Sequence, residues 1–281
     1  MINIFGILFE ISVIFVVTSK SVSHASWPNI NLAWPGLVLA VAEAGAVLCL
    51  AQRQGWWVLA LGLVWAVELW AVRPSGAVRA GSRTEEVVRQ LPAVLMGSSA
   101  VLLVAVTPRL ATQVVVAVGY AAWRLWWSSA AAEARYGLGN LLLLQAVMFE
   151  SVFLAAGVWR HSLPEWLLVA LVWAGAYLSV FATLNRRGER SAAVMAATWA
   201  LVAAEVSCVL MLWLFMYTLP GGYLIVPQAA LVLTALAYCF GSIYASQRQG
   251  SLSRARLTEY LLIGLILIAI VITGTPWKGT L

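Results

Sequence analysis

The chain has 281 residues, of which 63% are hydrophobic and 10% are charged. A soluble domain is usually about 45–50% apolar and about 25% charged, so this composition excludes a disordered chain, a nucleic-acid-binding domain and a typical soluble enzyme. All 11 acidic residues are glutamate, and the 17 basic residues give a net charge of +6. The composition predicts an all-α integral membrane protein.

Ten stretches are apolar enough for membrane spans, each of which needs about 20 residues. The first has no basic start and is interrupted by Glu10, so we expect a retained helix and not a cleaved signal peptide. The count between residues 91 and 127 depends on Pro108, because proline cannot continue a helical hydrogen-bond ladder. Pro227 predicts a kink or a late start in the ninth span. The spans are 3–19, 34–51, 55–72, 91–107, 109–127, 140–159, 165–184, 191–217, 222–246 and 257–274.

The basic residues mark one face of the membrane. If the N-terminus lies outside, the inner connections 20–33, 73–90, 128–139, 185–190 and 247–256 hold 12 of the 17 Lys and Arg, whereas the outer ones hold four. Cytoplasmic loops concentrate such residues. We therefore predict a multi-pass protein of the inner cell membrane with both termini outside. Since the longest connection has 18 residues, we expect no soluble domain.

The inner connections also predict the partners of the chain. Basic loop residues attract anionic lipid headgroups, and we expect such contacts at Arg73, Arg79, Arg83, Arg89, Arg186, Arg187 and Arg190. Membrane-protein partners are compatible with the sequence, whereas a nucleic-acid partner is not expected. We also expect no metal and no cofactor, because the cysteines lie singly in apolar runs and both histidines fall in connections.

Glutamates inside the predicted spans are the candidate functional residues. An ionisable group at the centre of a spanning helix costs about 2.5–3.5 kcal/mol, so it is expected to face a bundle interior or a hydrated cavity. Glu205, Glu150, Glu43 and Glu10 lie near mid-depth, and we take them as candidate binding or coupling residues. The alternative is that each is a neutral carboxyl group that joins two helices by a hydrogen bond.

A fifth glutamate, Glu68, lies near the inner end of the third span, and Arg124 lies near the inner end of the fifth. Their depths predict an ion pair at the membrane boundary, which would act as a gate or a helix clamp. The alternative is that each side chain extends separately to the headgroups.

The whole chain, 1–281, forms a single polytopic membrane domain in this interpretation. The ten spans can be divided into halves of five, 1–127 and 140–281, which would have opposite orientations as in inverted-repeat carriers. Glu10 would then correspond to Glu150, and Glu68 to Glu205, while Glu43 and Arg124 have no counterparts. In size and number of helices the chain resembles the drug/metabolite transporter type of carrier, over its whole length but through no motif.

Three functions follow as hypotheses. The first is a proton- or cation-coupled secondary carrier of a small solute. The second is a structural or assembly subunit of a membrane complex. The third is a lipid-handling enzyme, which is disfavoured because the chain has no aspartate, no Gly-x-Ser-x-Gly and no His-Glu-x-x-His.

Overall fold

The computed structural model describes residues 34–51, 56–71, 82–159, 163–212, 215–218 and 225–273. These residues form helices and one short hairpin. The elements are α1 (Trp34–Ala51), α2 (Trp57–Ala71), α3 (Ser82–Val106), α4 (Leu110–Ser129), α5 (Ala132–Arg135), α6 (Leu138–Val158), α7 (Glu165–Arg186), α8 (Ala192–Leu212), β1 (Met216–Thr218), β2 (Ile225–Pro227), α9 (Gln228–Arg248) and α10 (Arg254–Thr273).

Five helical segments among the described residues are long and apolar enough to cross a membrane: Val87–Val106, Leu138–Val158, Glu165–Arg186, Ala192–Leu212 and Gln228–Arg248. These five segments fit a membrane protein. Two shorter apolar segments lie within α1 and α2. The predictions of ten spans, of two outer termini and of two halves of five spans stay predictions.

Both proline signals correspond to helix boundaries. The helix break at Pro108 is confirmed, since α3 ends at Val106 and α4 begins at Leu110. The late start of the ninth predicted span is also confirmed, because Pro227 is the N-cap residue of α9 and has an extended backbone. The first predicted span, with Glu10, lies outside the described residues.

Two helix ends differ from the predicted spans. Helix α3 begins at Ser82, and its apolar segment begins at Val87, whereas the predicted span begins at residue 91; Pro92 lies inside the helix. The eighth predicted span ends at Leu212 instead of residue 217. Aromatic and β-branched residues favour strand, and here they form the antiparallel pair β1–β2, with Tyr217 opposite Val226.

Two helices are each followed by a glycine whose backbone has the left-handed conformation. Gly188 (φ 74°) follows α7, and Gly250 (φ 64°) follows α9. After α9, the amide of Ser251 donates to the carbonyl of Ser246 (3.0 Å). The amide of Gly250 donates to the carbonyl of Gln247 (3.0 Å). This is a Schellman motif, which uses carbonyls that the helix end leaves free. The turn after α7 has the same two bonds, so each chain reversal is tight.

Buried side chains form two main packed groups. The first joins α1 to α4, and Tyr120, Trp123 and Trp127 of α4 belong to its core. The second joins α6 to α9 around Phe149 and Phe153, which are fully buried. Packing of α3 against α6 and α7 connects the two groups. We call them the N-terminal bundle (α1–α4) and the C-terminal bundle (α6–α9).

Gly97 lies where α2, α3 and α4 approach closely. A Cβ atom at this position would lie 2.5 Å from Cγ1 of Val64 and 3.1 Å from the hydroxyl of Tyr120. Valine has a stiff side chain, so we expect Gly97→Ala to force the helices apart. Overpacking of this kind costs about 1–3 kcal/mol, measurable as a lower thermal midpoint in detergent.

Gly119→Ala is the matched control, because no atom lies within 4 Å of a Cβ at that exposed position of α4. We expect it to change stability by no more than about 1 kcal/mol, the helix-propensity difference between the two residues. Equal midpoints for Gly97→Ala and Gly119→Ala would contradict the close approach at Gly97.

Candidate functional site

A charged cluster lies inside the N-terminal bundle, where Arg124 of α4 contacts carboxylates from two other helices. Its Nε atom lies 3.0 Å from Oε1 of Glu68 on α2, and its Nη2 atom donates to Oε2 of the same residue (3.2 Å). Nε also lies 3.5 Å from Oε2 of Glu43 on α1. One guanidinium therefore connects three helices. We call Glu43, Glu68 and Arg124 the charge cluster.

The charge cluster is almost completely buried. The side chains of Glu43, Glu68 and Arg124 are 2%, 0% and 11% exposed. Oε1 of Glu43 and Oε1 of Glu68 are buried and accept no hydrogen bond from a described residue. The short contact from Arg124 Nε to Glu68 Oε1 is thus an ion pair without hydrogen-bond geometry. Two carboxylates share one cation, so the cluster carries an excess negative charge when both are ionised.

Tyr120 completes the site, and the sequence analysis did not identify it. Its hydroxyl donates a hydrogen bond to Oε2 of Glu43 (3.3 Å). Tyr120 precedes Arg124 by four residues and therefore shares its face of α4, which is the signal that could have revealed it. The rings of Trp123 and Trp127 continue the stack from Tyr120 along the helix, with centroid distances of 6.5 and 5.2 Å.

The other candidate glutamates do not join the charge cluster. Glu150 is half-buried on α6, and no hydrogen bond or ion pair links it to another described residue. Glu205 is exposed on α8 and not buried in a bundle interior, and its role as a binding or coupling residue stays a prediction. Hydropathy alone could not show this exposure, because α8 has no distinct polar face. Small residues at helical spacing do mark its buried face: Ala196, Ala200, Ala203 and Ser207.

Neither the geometry of the described residues nor comparison with known proteins identifies a ligand for this chain. Among the residues that the structure describes, no group of three or more His, Cys, Asp or Glu is placed to hold a metal ion. No protein-family model, curated protein or solved structure matches this chain. The resemblance to the drug/metabolite transporter type thus gains no support from these comparisons.

We expect Arg124→Gln to destabilise the protein strongly, because it leaves two buried carboxylates without a cation. Removing one partner of a buried ion pair costs about 3–5 kcal/mol. The triple variant Glu43→Gln/Glu68→Gln/Arg124→Gln removes all three charges and should recover most of that loss. Thermal unfolding of the purified variants in detergent measures both effects.

The control is Arg254→Gln, at an exposed arginine where α10 begins. It should leave the unfolding midpoint unchanged. If the triple variant were no more stable than Arg124→Gln alone, the neutralising role of Arg124 would be excluded.

Proposed function

We propose that this protein is a secondary carrier of a small solute, coupled to protons or cations, and that the charge cluster is its coupling element. One observation carries the proposal: Arg124 is shared by two buried carboxylates from different helices. Ionisable residues inside a membrane bundle are expensive and mark ion or substrate pathways by default.

The charge balance of the cluster supplies a coupling mechanism. With both carboxylates ionised, the site holds one excess negative charge, which is costly in a low-dielectric interior. A proton or a cation bound by Glu43 or Glu68 makes the site neutral. Helices α1, α2 and α4 could then move relative to one another at lower cost. Movement would thus be confined to the loaded state, as coupled transport requires.

The membrane arrangement is part of this proposal. We infer ten spans in the inner cell membrane with both termini outside, because the predicted inner connections carry most of the basic residues. Five helical segments of sufficient length and hydropathy support the class of protein.

Proteoliposomes loaded with the pH indicator pyranine test the coupling. Tetramethylammonium and guanidinium serve as probes, since neither can carry a proton across the bilayer by itself. We expect either probe, added outside, to dissipate a pH gradient in vesicles that contain the protein. Glu43→Gln and Glu68→Gln should each reduce the initial rate at least about tenfold, the effect of about 1.4 kcal/mol at the site.

Glu133→Gln is the matched control, because Glu133 is exposed on α5 and outside the charge cluster. It should transport at the wild-type rate. The carrier proposal fails if both probes leave the pH gradient intact, or if exchange continues unchanged in both cluster variants.

A second candidate function, a subunit of a membrane complex, is favoured by Glu205. This residue is exposed at the middle of α8, beside Leu201 and Val209, which are 55% and 53% exposed. A carboxyl group facing lipid is unfavourable. A partner helix that offers a hydrogen-bond donor would remove that cost.

Native gel electrophoresis of mildly solubilised membranes tests this second function. If α8 is an assembly surface, the wild-type chain should migrate in a species larger than one copy, and Glu205→Leu should shift it to the single chain. Glu133→Leu, the same substitution at an exposed glutamate of α5, should leave the species intact. Migration of the wild-type chain as a single copy would exclude the assembly role.

A further inference from the structure

The C-terminal bundle contains a cavity of about 350 Å³ at the end where α7 and α9 finish and where α6 and α8 begin. Its volume is at the lower end of the range for ligand-binding pockets. The deep wall is mainly apolar and includes Leu141, Val180, Val202 and Ala237. Arg187, Tyr244 and Gln247 lie at the other end. The cavity is thus apolar inside and polar at one end.

The cavity reaches the outer surface of the bundle between α8 and α9. Two of its lining residues, Val194 of α8 and Phe240 of α9, are also 68% and 50% exposed. Further in, the rings of Trp199 and Phe240 are in contact, with a centroid distance of 5.2 Å. A molecule can therefore enter from the side of the bundle, which is the side that faces lipid in a membrane.

The depth of the cavity matches one leaflet. Its wall on α9 runs from Ala237 to Gln247. Ten residues of helix cover about 15 Å, and half of a hydrocarbon core of about 30 Å is the same length. A lipid acyl chain that lies along the wall would place its headgroup level with the polar end.

The polar end carries an excess of positive charge. Glu189 forms an ion pair with Arg248, whose Nη1 lies 3.4 Å from Glu189 Oε1. The hydroxyl of Tyr244 also donates a hydrogen bond to Glu189 Oε1 (2.6 Å). Arg187 uses its Nε to donate to the carbonyl of Tyr136 (3.0 Å) and forms no ion pair with a described acidic residue. Burial lowers the pKa of its guanidinium, because the charged form loses water, and a bound anion would offset that loss.

One buried polar atom of the wall has no hydrogen-bond partner among the described residues. The buried Nε1–H of Trp199 donates to no described residue. By contrast, Gln145 donates to Ser179 (3.1 Å), and the hydroxyls of Thr183 and Thr198 donate to carbonyls of their own helices. An unpaired buried donor is energetically unfavourable, and an ester carbonyl of a lipid could accept this hydrogen bond.

We propose that this cavity binds an anionic glycerophospholipid from the adjoining leaflet, with the acyl chain against Val202 and Ala237 and the phosphate near Arg187. The proposal concerns the C-terminal bundle and does not depend on the charge cluster or on transport.

Tryptophan quenching in reconstituted vesicles tests the site, with the full chain in phosphatidylcholine that contains one tenth phosphatidylglycerol. Bromine is placed on the acyl chains of one lipid or the other. We expect brominated phosphatidylglycerol to be enriched about fivefold over its share of the bilayer at the quenched tryptophans, as one cationic contact of about 1 kcal/mol allows. Trp199→Phe should abolish that excess, because Trp199 lies in the cavity wall.

Two further variants test separately the positive charge at Arg187 and the volume of the cavity. Arg187→Gln should bring the enrichment close to one, and Ala237→Phe should reduce quenching of Trp199 by both lipids because the added ring fills the cavity. The controls are Arg254→Gln and Ala122→Phe, at exposed positions of α10 and α4, and both should behave as wild type. Equal quenching by both lipids in the wild-type protein, or an excess that survives Trp199→Phe, would overturn the proposal.

Discussion

The N-terminal bundle depends on the need to neutralise carboxyl groups that have been removed from water. Glu43 and Glu68 are buried in helices that have few other polar side chains, and each contacts the same guanidinium. An ion pair in such surroundings contributes little net stability, because desolvation offsets much of the attraction, whereas removing one partner is costly. In the observed packing of α1, α2 and α4, both carboxylates meet that one cation.

The rest of that bundle is built around the same contact. Tyr120 donates to Glu43 from the turn of α4 before Arg124, and Gly97 leaves room for the Tyr120 hydroxyl and Val64 to lie against α3. Small residues allow close approach of helices in membranes, where there is little hydrophobic gain from helix association. The polar contact and the close packing therefore support each other.

The C-terminal bundle has a different character. Its core is apolar around Phe149 and Phe153. Its charged contacts, between Arg248 and Glu189, lie at the ends of α7 and α9, while Glu150 and Glu205 lie singly along α6 and α8. The glycine-ended turns after these helices bring Arg187 and Arg248 near one another, with Glu189 between Arg248 and Tyr244. Among the described residues, the ion pairs thus lie inside one bundle and at the end of the other, so the two offer different chemistry.

The sequence by itself determined the class of protein and most of its helices. Hydropathy over some 20 residues is a local property, and the breaks at Pro108 and Pro227 follow from the missing proline N–H, which is also local. Only the tertiary structure decided which glutamates are buried against a cation and which are exposed. The helices are apolar on nearly every side, so the period of 3.6 residues leaves no polar face from which a direction can be read. For that reason Glu43 and Glu205 looked alike in sequence, although the first meets Arg124 and the second lies exposed. The pairing of Glu68 with Arg124 could be anticipated from their similar depth, whereas the third member of the cluster depended on how α1 packs against α4.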